Sequence, residues 1–216
     1  MKIAVTVKQV PDSWAEKRLV NGRVDRENVD AVLNDLDEYA IEEALRIREQ
    51  NPGDHSITLI SMGPERANEA VRKGLSMGAD NAIIVTDPSL QNADALITSK
   101  VLSEIIAEGN YDLVLCGVES TDARMSVIPS MISARLGYAQ LTFANKVTIG
   151  NGSVAIERVT ETGVTEMSGE FPAVVSVVEK INKPRYPSFK GIMEAKKKEI
   201  VIKNYPNLEK NATEVV

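Results

Sequence analysis

The sequence predicts a doubly wound α/β domain, in which helices cover both faces of a mostly parallel sheet. Apolar runs of strand length alternate four times with helical patterns between the N-terminus and Gly137. These runs are apolar at successive positions, as expected for strands that are buried on both faces. The length of 216 residues suits one such domain with a small extension.

Composition limits the classes of protein to consider. The formal charge of −6 argues against a nucleic-acid binder, although one local basic patch lies near the C-terminus. The single cysteine, Cys116, excludes an intrachain disulfide and a cysteine-rich metal site. We find no signal peptide and no apolar stretch of the ~18 residues that a membrane span needs. We therefore expect a soluble protein of the bacterial cytoplasm, without membrane insertion.

The first strand–helix unit is predicted from the N-terminal third. Residues 2–10 form a strand that stops at Pro11, and Asn21-Gly22 indicates a small hairpin after it. Asn34 and the acids at 35–37 supply capping and first-turn charges for a helix over residues 38–50.

Three further units repeat the pattern. Each pairs a strand with the helix that follows it, at residues 56–63 with 65–79, 81–87 with 93–108, and 111–117 with 125–136. After Gly137 the segments 141–149, 153–161, 163–170 and 172–181 are β-like and separated by turn signals, so we expect an antiparallel set in this last third of the chain. The last dozen residues, 205–216, are polar and poorly patterned, and we expect them to be flexible or dependent on a partner.

A ligand site is expected where parallel strands end at a topological switch point. The segments concerned are 7–10, 61–64 and 117–129. The loop Glu119-Ser120-Thr121-Asp122 precedes a helix N-terminus, which suits phosphate. A plain loop followed by helix capping explains the pattern equally well. Asp122 carries the charge of a phosphate, so it suits a ribose hydroxyl or a capping role better.

Catalytic constellations are missing. The sequence contains neither the glycine fingerprint of nicotinamide-binding proteins nor a P-loop. We expect His55 to be an exposed turn residue, Cys116 to be a small core residue, and Glu42 and Glu43 to be solvated charges. A protein that binds a nucleotide without turning it over is the economical interpretation.

Six segments, taken in order, resemble one known family. They are KIAVTVKQVPD, VDRENVDAVLNDLDEYAIEEALRIRE, ITLISMGPERANEAVRKGLSMGAD, YDLVLCGVESTDA, LTFANKV and PAVVSVVEKINKPRYPSFKGIMEAKKKEI. Over residues 2–203 the chain is similar to the beta subunit of the electron transfer flavoprotein. The resemblance implies an adenine-nucleotide alpha hydrolase-like fold, with residues 1–185 as the nucleotide-binding domain. Residues 186–216 then hold a partner-recognition loop, a basic segment and the C-terminal tail.

The resemblance also implies a function. The beta subunit pairs with an alpha subunit that carries FAD, and it holds an AMP of structural role. The heterodimer passes electrons from acyl-CoA dehydrogenases of fatty acid oxidation, or similar flavoenzymes, to a quinone oxidoreductase, without catalytic residues in the beta chain. The implied AMP contacts are Thr6, Asn34, Asp35, Leu36, Asp37, Met62, Ser120, Thr121, Asp122, Ala123, Arg124, Met125, Ser126, Val127 and Ile128.

Two other surfaces follow from the resemblance. Trp14 and Leu36 are candidates for shielding the flavin edge, although Trp14 could instead pack within its own hairpin. Phe189 corresponds to an apolar anchor that inserts into a dehydrogenase pocket. Lys196 and Lys197 belong to a basic segment that is either a solvated face or a docking site for an acidic partner.

Departures from the family pattern keep alternatives open. Ser126-Val127-Ile128 stands where many relatives offer polar side chains, which leaves mainly backbone N–H groups, Ser126 and Arg124 as contacts. AMP is favoured over the second FAD of electron-bifurcating members. Val159 replaces an acid that would bridge to the alpha subunit. Most of the C-terminal arm that clasps the alpha subunit is missing, so the interface is smaller or the chain is truncated.

Two alternatives without an alpha partner also remain. One is a free-standing nucleotide-binding protein of the universal-stress-protein type. The other is an adenylating enzyme, which is disfavoured because the loops lack a pyrophosphate-binding signature and catalytic lysines.

Overall fold

A seven-stranded sheet, parallel at every pairing, forms the centre of the computed structural model, which describes residues 1–16, 18–20 and 22–205. The strands are β1 (Lys2–Thr6), β2 (Gln9–Pro11), β3 (Leu19–Val20), β4 (Arg23–Val24), β5 (Ala31–Leu33), β6 (Ser56–Met62), β7 (Asn81–Val85), β8 (Leu113–Gly117), β9 (Ala139–Ala144), β10 (Lys146–Ile149), β11 (Ser153–Thr160), β12 (Gly163–Glu170), β13 (Ala173–Val177) and β14 (Ile200–Lys203). The helices are α1 (Asp35–Gln50), α2 (Asn68–Met77), α3 (Ala95–Gly109), α4 (Ile128–Leu136) and α5 (Phe189–Ala195), with short 3₁₀ turns at Glu65–Ala67 and Pro88–Leu90.

The order of the central strands is β14-β7-β6-β1-β8-β13-β9. Two hydrophobic clusters cover its two faces. Residues of α1 and α2 pack with Leu59 on one face, whereas residues of α3 and α4 pack with Ile60 on the other. Adjacent residues of β6 are thus fully buried on opposite sides, which explains the continuous apolar run in the sequence. The predicted doubly wound α/β class is confirmed.

The last third of the chain differs from the expectation of an antiparallel set. Only β10, β11 and β12 form an antiparallel sheet, while β9 and β13 pair in parallel within the central sheet. Every residue of β13 is buried, as in a strand with both faces covered. The turn signals correctly mark chain reversals, but they do not show which strands become neighbours. The prediction of antiparallel pairing for residues 141–144 and 173–177 was therefore wrong.

Two element boundaries also differ. The strand predicted over residues 2–10 breaks after Thr6, and β2 pairs separately with β5. The helix predicted from residue 125 begins at Ile128, because Arg124 and Ser126 have φ angles of 51° and 55°, outside the range of a right-handed helix. The predicted hairpin is present as the β3–β4 pair, with Asn21 itself outside the described residues.

Three side chains lie in surroundings that local pattern did not reveal. Glu42 and Glu43 are 5% and 6% exposed, so the prediction of solvated charges was wrong. The chain returns over α1 after β13 and covers them with Asn182 and Arg185, a contact between residues too distant for helical periodicity to report. His55 is half-buried with both ring nitrogens shielded from solvent, so the prediction of an exposed residue was also wrong.

The segment after residue 185 contributes to the sheet. β14 pairs in parallel with β7 as an edge strand, and α5 packs against α2. The division of the chain at residue 185 stays a prediction. The tail expected to be flexible lies, from residue 206 onward, outside the described residues.

The two-sided core gives a direct test of the fold. Leu115 of β8 is fully buried, whereas Leu96 on α3 is 51% exposed. We expect Leu115→Ala to lower the free energy of unfolding by about 3 kcal/mol, because it removes buried methyl groups and leaves a cavity. Leu96→Ala is the matched control and should change it by less than about 0.5 kcal/mol. Equal losses in urea-induced unfolding of the two variants would contradict this assignment of the core.

Candidate functional site

The candidate site lies where β1 and β8 end side by side at the centre of the sheet. From β1 the chain winds outward through β6 and β7, and from β8 it reaches β13 and β9 on the other side. The direction in which the chain adds strands to the sheet therefore reverses between β1 and β8. Thr6 of β1 and Cys116 of β8 are register partners at this point. Open α/β sheets bind ligands at such switch points. Helices α1 and α4 both begin at this edge of the sheet, and neither has a side-chain cap.

Gly117 brings α1 onto the end of β8. A Cβ at this position would lie 2.5 Å from Oδ1 of Asp37 and 2.8 Å from the carbonyl oxygen of Leu36. The carbonyl carbon of Leu36 would also lie 2.8 Å away, and this backbone of α1 could not give way to a side chain. The glycine is therefore required by the close approach of the first turn of α1, and it fixes that turn beside the loop after β8.

Asn34 connects the first turn of α1 to this loop. Its side-chain amide donates to Oδ1 of Asp37 at 2.9 Å and to the carbonyl oxygen of Glu119 at 2.9 Å. Its Oδ1 accepts from the backbone N–H of Thr121 at 3.1 Å. Asn34 is 1% exposed and is the N-cap residue of α1, as predicted, but its side chain makes no cap hydrogen bond to the helix. The side chain instead holds residues 119–121 against α1.

Asp37 is a buried carboxylate at the centre of these contacts. Besides Asn34, it accepts from the backbone N–H of Lys8 at 2.8 Å. Burial raises the pKa of Asp37 from 3.8 to about 7, against the opposing effect of the hydrogen bonds from Asn34 and Lys8. The predicted helix acid is thus a structural link between β1, α1 and the loop.

The carboxylate of Asp122 forms ion pairs with two cationic side chains. Lys8 Nζ lies 2.7 Å from Oδ1 and Arg26 Nε lies 2.8 Å from Oδ2, while the Asp122 side chain is only 2% exposed. Burial is the largest single influence and raises the pKa of Asp122, but Lys8, Ser120 and Arg26 together outweigh it and lower the pKa. Since the N-cap of α4 is Val127, Asp122 does not cap that helix.

The rest of the loop presents backbone donors. The N–H groups of Ala123 and Arg124 bond to the carbonyl oxygen of Ser120, and Ser126 Oγ donates to Glu119 Oε2 at 2.9 Å. Among the residues that the structure describes, none accepts from the N–H groups at 125, 126 and 127. A loop with unpaired N–H groups next to a helix N-terminus can bind an anion.

The other predicted contacts surround this loop. Thr6 is the register partner of Cys116, and Met62 is half-buried at the end of β6. Asp35 is exposed and Leu36 is half-buried in the first turn of α1. The prediction that Cys116 is a core residue is confirmed, since it is 2% exposed and burial raises the pKa of its thiol to about 12.

Four predicted residues are exposed on the surface. Trp14 is 95% exposed, so it does not pack within its own hairpin. Phe189 is 80% exposed on α5, and Lys196 and Lys197 are exposed just after that helix. Because α5 packs on α2, these three residues form a surface separate from the strand ends.

Two residues of the site, Arg26 and Arg66, were not predicted from the sequence. Lys8 was covered only as part of the segment 7–10, although its place two residues after the end of β1 could have singled it out. Arg26 carried no such signal, because its contact with Asp122 spans 96 positions. Arg66 donates to the carbonyl oxygens of residues 26, 27 and 29 and so holds the segment that bears Arg26.

The raised pKa of Asp37 predicts a pH dependence of stability. Between about pH 4 and pH 7 the folded state binds the proton of Asp37 and the unfolded chain does not, so the contribution of Asp37 to stability falls as pH rises. Asp37→Asn does not titrate. We expect the stability of wild type relative to Asp37→Asn to fall by up to about 1.4 kcal/mol per pH unit in this window.

Chemical unfolding at several pH values measures this difference. Asp35→Asn is the control, because it removes an exposed acid from the same turn without touching the buried contacts. Parallel stability curves for wild type and Asp37→Asn would contradict the assignment.

The described residues contain no group of three or more His, Cys, Asp and Glu side chains arranged to hold a metal ion. Within the same residues, no helix has the length and apolar character needed to cross a membrane.

Comparison with known proteins identifies the family. The electron transfer flavoprotein domain family matches residues 21–207. The chain is 47% identical over 207 residues to the electron transfer flavoprotein subunit beta of Mycobacterium tuberculosis (strain ATCC 25618 / H37Rv), covering 93% of this chain and 77% of that protein.

Two more distant relatives agree. The corresponding subunit of Thermoanaerobacterium thermosaccharolyticum is 38% identical over 218 residues, covering 100% of this chain and 83% of that protein. Protein FixA of Sinorhizobium fredii is 35% identical over 211 residues, covering 93% and 73%. The resemblance seen in the sequence is therefore confirmed, and the chain belongs to the electron transfer flavoprotein family, among proteins named as its beta subunits.

Proposed function

We propose that this chain is the beta subunit of a heterodimeric electron transfer flavoprotein. The match to beta subunits along most of the chain carries this proposal. In it, an alpha subunit binds FAD and the heterodimer shuttles electrons from acyl-CoA dehydrogenases, or similar flavoenzymes, to a quinone oxidoreductase. The beta chain acts as a carrier subunit without catalytic residues of its own.

The crevice between β1 and β8 is the proposed site of a structural AMP. Its support is the donor set, which combines unpaired backbone N–H groups at 125–127, the uncapped start of α4 and the ammonium of Lys8. Lys8, Arg26 and Asp122 carry a formal net charge of +1 together, which suits one phosphate better than a chain of them. Hydroxyls of Ser120 and Thr121 are available for a ribose.

The flavin of the alpha subunit is proposed to lie near the segment that carries Trp14. An indole that is 95% exposed has no packing partner within the described part of the chain, and burial against a partner would remove a large apolar surface from water. Leu36, half-buried beside the crevice, is the second proposed shielding residue.

Residues 184–193, which we call the aromatic segment, form the proposed docking site for the dehydrogenase. Tyr186 and Phe189 are 92% and 80% exposed, and Ile192 and Met193 are each more than 40% exposed. Lys196 and Lys197 lie beside them. Exposed aromatic anchors with a charged rim are typical of brief, specific complexes, as an electron shuttle requires.

Coexpression with the alpha subunit from the same organism tests the proposal. We expect a yellow 1:1 complex that releases one FAD and one AMP on denaturation, because one site for each lies in a different subunit. Absorbance spectra and chromatography of the released nucleotides measure both.

Other outcomes discriminate between the alternatives. Two FAD and no AMP would show an electron-bifurcating subunit. A colourless protein that binds ATP and ignores the alpha subunit would contradict the flavoprotein proposal and support a stand-alone nucleotide-binding protein.

The crevice can be tested within the same complex. We expect Asn34→Ala to lower retained AMP about tenfold, because loss of three hydrogen bonds of the side chain frees residues 119–121 from α1. The control Asn28→Ala removes an exposed amide that bonds only to Asp25 within the described contacts. FAD content should stay at one per complex in both variants. Full AMP retention in Asn34→Ala would contradict the proposed site.

A further inference from the structure

The aromatic segment is joined to α1 by one arginine. Arg185 donates from Nε and Nη2 to the two carboxylate oxygens of Glu42, at 2.8 and 3.0 Å. It also donates from Nη1 and Nη2 to those of Glu49, at 2.6 and 3.0 Å. Its backbone N–H reaches Glu42 Oε2 at 3.2 Å. One guanidinium thus holds two carboxylates that lie about two turns apart on α1, each through two hydrogen bonds.

The ion pair of Arg185 with Glu42 is buried, whereas its ion pair with Glu49 is exposed. The Glu42 side chain is only 7% exposed, whereas that of Glu49 is 51% exposed. Without Arg185, Glu42 would be a buried carboxylate that has lost its charged partner, which is strongly unfavourable. Asn182 adds two contacts at 3.0 Å, to Glu43 Oε2 and to the carbonyl oxygen of Tyr39.

The other end of the aromatic segment is fixed to α2. A Cβ at Gly191 would lie 2.5 Å from the carbonyl oxygen of Ser76, so the backbone of α5 rests directly on the end of α2. Arg72 donates to the carbonyl oxygens of Ala195 and Lys198 at 2.5 Å each. The segment is therefore held at both ends by helices of the same face of the sheet.

Between these attachments the chain is exposed but restricted. Pro184 and Pro187 fix their own φ angles and limit the residues before them. The side chains of Tyr186, which follows Arg185, and of Phe189 bury little of their surface against the rest of the described chain. An exposed anchor that is already ordered loses less conformational entropy when it binds.

We propose that Arg185 is a positioning residue for partner binding, and that its paired contacts with Glu42 and Glu49 hold the aromatic segment in the orientation that a flavoprotein dehydrogenase recognises. The inference rests on the proposed function. Arg185 acts through Tyr186 and Phe189 and takes no part in electron transfer. Its loss therefore weakens the encounter with the dehydrogenase and leaves the flavin chemistry unchanged.

Steady-state reduction of the holo heterodimer by an acyl-CoA dehydrogenase of the same organism tests the inference. We expect Arg185→Met to raise the KM for the heterodimer about tenfold with kcat within about twofold, because docking loses an ordered anchor. Reduction of the flavin by dithionite and its reoxidation by a small dye should match wild type.

Three further variants separate position from charge and from folding. Arg185→Lys keeps the charge but cannot hold two carboxylates in pairs of hydrogen bonds, so KM should stay raised. Glu49→Gln removes only the exposed partner and should give a smaller rise in a folded protein. Arg48 of α1 pairs with Asp80, which precedes β7, and within the described residues it makes no hydrogen bond to the aromatic segment. Arg48→Met is therefore the matched control and should leave KM unchanged.

Each outcome decides a stated point. A wild-type KM for Arg185→Met or Arg185→Lys would overturn the positioning role. Equal rises in KM for Arg185→Met and Arg48→Met would also overturn it, since general destabilisation would then explain the effect. A wild-type heterodimer that no acyl-CoA dehydrogenase reduces would overturn the proposed function instead. Faster amide hydrogen exchange in residues 184–193 of Arg185→Met, with unchanged exchange in β1 and β8, is expected in every case, and its absence would show that Arg185 does not order the segment.

Discussion

The approach of α1 to the end of β8 is the constraint on which the site depends. With only a hydrogen atom on the Cα of Gly117, the first turn of α1 reaches the backbone of the central strand. Asn34 and Asp37 can then bond to groups from β1 and from the loop after β8 at the same time. Two segments that are more than 80 positions apart thereby form one rigid edge. A larger residue at 117 would separate them and dissolve the network.

The electrostatics of the crevice follow from where its two carboxylates lie. Asp37 is surrounded by neutral donors and by protein, so its charged form is disfavoured. Asp122 is less deeply buried than Asp37, and two cationic side chains contact it and keep it charged. An aspartate thus has a raised pKa at position 37, where it links backbone segments, and a lowered pKa at position 122, where it pairs with cationic side chains. The cations that contact Asp122 and its shallower burial together account for the difference.

Local sequence pattern was sufficient to predict the class of fold and the end of the sheet at which the candidate site lies. Alternating strand and helix patterns predict β1, β6, β7 and β8 because each signal is contained within a few residues. Strand order is a different kind of information. β13 shows the composition of a buried strand, yet only tertiary packing places it between β8 and β9. Likewise, the sequence around Glu42 does not indicate that Arg185, 143 positions further along the chain, forms an ion pair with it.

The place of β13 has a consequence for how the chain is assembled during synthesis. β9 leaves the ribosome before β13, but it joins the sheet by pairing with β13, which must first pair with β8. In the meantime β10, β11 and β12 can form their antiparallel sheet, since its contacts are local in sequence. In a nascent chain that stops before residue 173, β9 can therefore pack on β11 and β12 but has no partner strand in the central sheet, and this side of the sheet is completed only when β13 is available.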